Sequence, residues 1–82
     1  MKLKPRYQQF IDKMVLRASK DPDCPLAKAG PLEGIPAQEV LRDALADTFK
    51  RLTWHRAQRI VWEYLIIHGM KPKVKTVHDI KF

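Results

Sequence analysis

The sequence predicts an all-α protein of three short helices, at about residues 5–19, 36–52 and 54–68, with a Pro-rich strap and an extended basic C-terminal tail. Three observations predict it. Apolar residues recur at helical spacing in three separate windows. Residues 20–35 between the first two windows hold Pro22, Pro25, Pro31, Gly30 and Gly34. Residues 69–82 keep neither the helical nor the strand period throughout.

The first helix opens at Pro5, which suits a first turn because the N–H it lacks has no helical partner there. Tyr7, Phe10, Ile11, Met14, Val15 and Ala18 then form an apolar stripe, leaving Arg6, Gln9, Lys13 and Arg17 on other faces. Asp21-Pro22 marks its end. The density of breakers in residues 20–35 predicts an ordered loop or strap with no regular element, pinned by Leu26, Leu32 and Ile35.

The second helix starts at Pro36, with Val40, Leu41, Ala44, Leu45, Thr48, Phe49 and Leu52 on its apolar face. Glu39 and Asp43 lie early and Lys50 and Arg51 late, as the helix dipole prefers. A third stripe follows in Trp54, Ala57, Ile60, Val61, Tyr64 and Leu65. It stops at Gly69 with Pro72 beyond, a standard termination. The second and third stripes are out of phase by about 140–160° at 100° per residue. Either the chain turns near Leu52–Thr53, or one long helix changes its buried face. Thr53 is a good helix cap and favours the turn. The tail, GMKPKVKTVHDIKF, is read as extended, ordered as an added strand or against another surface.

Eighty-two residues make one small domain or subunit. A chain of that size buries only about 60% of its unfolded surface. Small proteins commonly add disulfides, a metal or a partner. Cys24 is the only cysteine, which excludes an internal disulfide and a CxxC-type zinc site. A partner becomes the expected source of further stability, and a lone thiol fits a reducing compartment.

The net charge is +7, unevenly spread. Residues 1–20 carry six basic groups against Asp12 alone; residues 21–36 are acidic by two charges; residues 37–53 balance; and residues 54–82 are positive by four. Basic ends of this kind attract RNA or DNA phosphates, an anionic membrane surface or acidic protein. No stretch approaches the ~20 apolar residues of a transmembrane span, and no secretory signal is expected. The first twenty residues combine basic charge and amphipathicity in the manner of an organelle-targeting segment, although Lys predominates over Arg and Ser19 is the only serine. The ordinary reading is a first helix with a solvated basic face. A mitochondrial location is the expectation, with cytoplasm or nucleus otherwise.

Catalysis is not expected. Ser19 has no nearby His, and no recognised motif surrounds Cys24. His55, His68 and His78 lack metal-ligand spacing on one helix, and no Gly-rich phosphate cradle exists. No cofactor or metal is expected.

Two binding constellations remain. In VWEYLII, residues 61–67, the core face takes Val61, Tyr64 and Leu65, leaving Trp62, Ile66 and Ile67 elsewhere on the helix. An exposed Trp-and-Ile patch is an interface signature, and with Trp54 it forms the expected partner-binding set. The alternative is that the strap or the tail covers it. The second constellation is Lys50, Arg51, His55, Arg56 and Arg59 beside Trp54, with Arg51, His55 and Arg59 in register if the helix is continuous. Cations among aromatics suit a phosphate backbone with base stacking, and a turn at Thr53 admits a helix-turn-helix reading. Its bland counterpart is a solvated basic face.

Small size, basic charge, a presequence-like start, a Pro-rich strap and a helix apolar on several sides together resemble accessory subunits of large organellar assemblies. These include respiratory complexes, ATP synthase and mitoribosomes. The resemblance is compositional and transfers no functional residue. It implies a non-catalytic structural subunit within a larger protein assembly, with nucleic-acid binding, ribosomal-type RNA binding first, as the alternative.

Overall fold

The computed structural model describes residues 3–73. Most of the basic tail expected at 69–82 lies outside the described residues. Among the described residues four helices follow in order, α1 (Pro5–Lys20), α2 (Pro25–Lys28), α3 (Ile35–Thr48) and α4 (Trp54–Ile67). The three long helices are those expected from the apolar stripes. Among the described residues no helix is long and apolar enough to cross a membrane.

Proline starts three of these helices, standing at the first or second position of α1, α2 and α3. That placement corrects the reading of residues 20–35. A proline breaks a helix from its interior but initiates one from its first turn, so Pro25 opens a turn of helix inside the strap. Its Leu26 is buried, and Leu32 packs partly buried on the same core.

The second helix ends at Thr48, four residues before the expected boundary. Phe49 caps it with extended backbone, its N–H donating to the Leu45 carbonyl at 2.9 Å. The Leu52 N–H then donates to the Phe49 carbonyl at 2.9 Å, closing a turn, and Leu52 is buried. Thr53 starts α4, its hydroxyl accepting from the Arg56 N–H at 3.2 Å. The phase difference between the two stripes is therefore a turn between two helices. Lys50 and Arg51 consequently sit in the turn and not in the last turn of a helix.

α4 ends as the Gly69–Pro72 pattern predicts. Gly69 takes φ +78°, a conformation that costs only glycine little. Its N–H donates to the Ile66 carbonyl at 3.0 Å and that of Met70 to the Leu65 carbonyl at 2.9 Å. These two bonds define a Schellman termination, with Met70 packed back on the core beyond it.

The core lies between α1, α3 and α4, with α3 and α4 the most extensively packed pair. Ala37 on α3 and Ala57 on α4 are completely buried, as are Ile11, Leu41, Leu45, Val61 and Leu65. Each of the larger side chains contributes about 1.5–3 kcal/mol on leaving water. Phe49 joins the turn to α1: its ring meets Tyr7 edge-on at 5.0 Å between centroids and Phe10 at 5.5 Å. Edge-to-face pairs of this kind add to what area alone provides.

Candidate surface on α4 and its polar support

α4 is buried along one side by Ala57, Ile60, Val61, Tyr64 and Leu65, as the stripe predicts. Trp62 joins them. It is 6% exposed, and its indole Nε1 donates to Gln38 Oε1 at 2.7 Å. The expectation that Trp62 stands on an exposed patch is corrected. The chain itself covers this ring, because Gln38 offers the acceptor that a buried indole N–H requires.

Gln38 is itself buried, 3% exposed, and all of its hydrogen-bonding capacity is used. Its amide nitrogen donates to the Glu33 carbonyl at 2.8 Å and the Lys73 carbonyl at 2.7 Å. Its oxygen accepts from Trp62 and, at 3.3 Å, from Gln58 Nε2. The Lys73 N–H returns to the Glu33 carbonyl at 2.9 Å. One side chain on α3 thus holds the strap, α4 and the chain beyond α4 together. Sequence reading missed it, although the signal was present: Gln38 lies in phase with Leu41 and Leu45, a polar residue at a core position.

Trp54, by contrast, starts α4 half exposed. The Arg42 guanidinium lies over its ring at 4.6 Å, and His55 meets it edge-on at 5.0 Å. Arg42 is held in turn by Asp43, Nη2 to Oδ1 at 2.9 Å, and by Gln58 Oε1 at 3.4 Å. Stacking on a guanidinium that is itself braced fixes the indole at the surface. Arg42 was also missed, since its partner lies on the next helix and no local spacing announces it.

The solvent side of α4 carries the remaining expected residues. His55, Arg56 and Arg59 in its first half and Ile66 and Ile67 in its last turn are exposed. At 3.6 residues per turn they fall within an arc of about 120° along about 18 Å of axis. Arg59 has one carboxylate near it, Glu63, at 3.8 Å. Arg51 and Arg56 have no ion pair among the described residues, while Lys50 lies 4.0 Å from Asp47 with both side chains exposed. The Lys50–Asp47 pair, exposed on both sides, holds little. The ladder Arg51–His55–Arg59 does not form, since the helix is interrupted between Arg51 and His55.

Tyr64, near the end of the buried side, donates its hydroxyl to Asp12 Oδ1 at 2.5 Å, joining α4 to α1. Burial, then that hydrogen bond and the carboxylate's charge, push its ionisation well above the ordinary phenol value. Cys24 is a free, buried thiol. Among the described residues no three His, Cys, Asp or Glu side chains are grouped so as to hold a metal ion. No protein-family model, curated protein or solved structure matches this chain.

Proposed function

We propose that the protein is a non-catalytic binding subunit that docks on a larger protein assembly through the solvent side of α4. One observation carries the reading. Ile66 and Ile67, 40% and 50% exposed, close a helix face whose other half is cationic, while the interior beneath it is already satisfied. Two adjacent exposed isoleucines gain by leaving water, and His55, Arg56 and Arg59 orient whatever covers them. The matching partner surface is apolar at one end and acidic at the other. Trp54 lies at the start of α4 on the side that faces α3, about 160° around the helix from the centre of that face, and is held there by Arg42.

Affinity purification from source-cell extract compares the wild-type chain with Ile66→Asp/Ile67→Asp. Both positions are half-exposed in the last turn of α4, where an added carboxylate opposes the helix dipole. The urea midpoint therefore falls modestly, and the comparison is made under conditions in which both proteins are folded. The variant is expected to lose the co-purifying assembly, with affinity at least tenfold weaker. Unchanged recovery by the folded variant overturns the reading.

The second reading places RNA or DNA on the same end of the molecule. It is favoured by the exposure of Lys50, Arg51, His55, Arg56 and Arg59 around the half-exposed Trp54. Under it, Arg56→Glu/Arg59→Glu removes nucleic-acid binding and the isoleucine variant does not.

A further inference from the structure

We propose that the outer side of α1 is a second binding surface, one that takes the phosphate backbone of duplex nucleic acid and does not depend on docking through α4. Arg6, Lys13, Arg17 and Lys20 are all exposed. Along a helix of 3.6 residues per turn they fall within an arc of about 60° and extend over about 21 Å. Lys4, just ahead of the helix, is exposed as well.

Carboxylates are nearly excluded from this line. Asp12 is the only acidic residue among residues 1–20. It lies about 110° away around the helix and accepts the Tyr64 hydroxyl. Lys13 and Lys20 have no ion pair among the described residues. Arg17 has Asp21 at 4.0 Å, with side chains 74% and 44% exposed, a distance at which water screens most of the attraction. The Arg6 guanidinium lies over the Tyr7 ring at 4.9 Å and donates to its hydroxyl at 3.1 Å. Those contacts fix it at the surface while leaving further donors free.

Lys13 with Arg17, and Arg17 with Lys20, are like charges one turn apart, an arrangement that opposes helix formation. An extended anion lying along the stripe reverses that opposition.

The same helix distinguishes among polyanions. Adsorption to an anionic bilayer draws on apolar side chains that enter it, and those of α1 face inward, with Tyr7 and Ile11 buried. Leu16 is the one large apolar side chain left on its outer side. Single-stranded nucleic acid is held on aromatic platforms, and the aromatic rings of α1, Tyr7 and Phe10, pack on Phe49. A duplex, with about one charge per 1.7 Å of axis, requires only a straight row of cations.

The test is fluorescence anisotropy of the full chain with a labelled DNA duplex of arbitrary sequence and about two helical turns, titrated at several salt concentrations. About four phosphate contacts give a slope of log K on log salt near −3.6, so affinity falls roughly a hundredfold between about 50 and 200 mM salt. Lys13→Gln/Arg17→Gln lowers the magnitude of that slope by about two at an unchanged urea midpoint. Lys28→Gln, which removes an exposed cation on α2 outside this row, leaves the slope as it is. The proposal is overturned if the duplex is not bound or if the α1 variant keeps the wild-type slope. It is equally overturned if the chain prefers phosphatidylserine vesicles or the single strand alone. None of these outcomes bears on the isoleucine test of α4, so the two readings stand or fall separately.

Discussion

At the scale of single residues, two side chains bind parts of the chain that are distant in sequence. Gln38 has two donors and two acceptor sites in use, and its removal takes a bond from the buried Trp62 N–H and from three part-buried partners. Gln38→Leu leaves the Trp62 N–H without its bond to Gln38 and removes a donor from each of the Glu33 and Lys73 carbonyls. Leaving buried polar groups without partners costs about 1–3 kcal/mol each. The variant is therefore expected to lose about 1–3 kcal/mol in urea unfolding, whereas Gln58→Met, which gives up part-buried bonds at 3.3 and 3.4 Å, loses less. Equal losses would show that the network does not act through Gln38. Tyr64 makes a separate prediction about pH. Its hydroxyl ionises at higher pH in the folded protein than in the unfolded chain. Above about pH 10 the unfolded chain therefore loses a proton that the folded one keeps, and stability falls as pH rises. Tyr64→Phe costs about 1 kcal/mol at neutral pH. It also flattens the alkaline limb of the stability curve, which urea midpoints at pH 8, 10 and 11 will show.

At the scale of elements, each helix is set by its ends as much as by its face. Thr53→Ala removes the hydroxyl that holds the first turn of α4 and is expected to cost about 1 kcal/mol. Gly69→Ala forces a side chain into left-handed backbone and costs a similar amount. Urea midpoints check both, and additivity in the double variant is expected because the caps are a helix length apart. These ends were legible in the sequence: Pro5, Pro36, Thr53 and Gly69 each announce a boundary through local chemistry. Pro25 was misread because local composition counts breakers, while the outcome depends on which helical position a proline occupies. The exposed side of α4 was legible for Ile66, Ile67 and the cations, whose place follows from helical periodicity. It was not legible for Trp62, whose cover comes from a glutamine 24 residues away, or for the stack of Arg42 on Trp54. Periodicity assigns a side chain to a face. It does not say which other element arrives there.

At the scale of the whole molecule, the interior of the described residues is closed and satisfied. Every buried side-chain nitrogen and oxygen among the described residues has a hydrogen-bond partner, as in proteins with a unique native state. The isolated chain is therefore expected to sediment as a monomer and to unfold in one cooperative urea transition, with a slope of about 1 kcal/mol/M. Coincident loss of tryptophan fluorescence and helical circular dichroism will establish this. A tryptophan signal lost first would mean that the interior is completed only by a partner. The junction at Gln38 has a further consequence for how the molecule opens. Chain ends and exposed loops ordinarily fray independently of the core, and their amides exchange with solvent through small local fluctuations. Here the Lys73 amide closes on Glu33, and both carbonyls are gripped by a side chain in the interior. Hydrogen exchange at Lys73 should therefore report the same opening as the amides of Leu41 and Leu65, placing the strap and the exit of the chain in one cooperative unit with the helices.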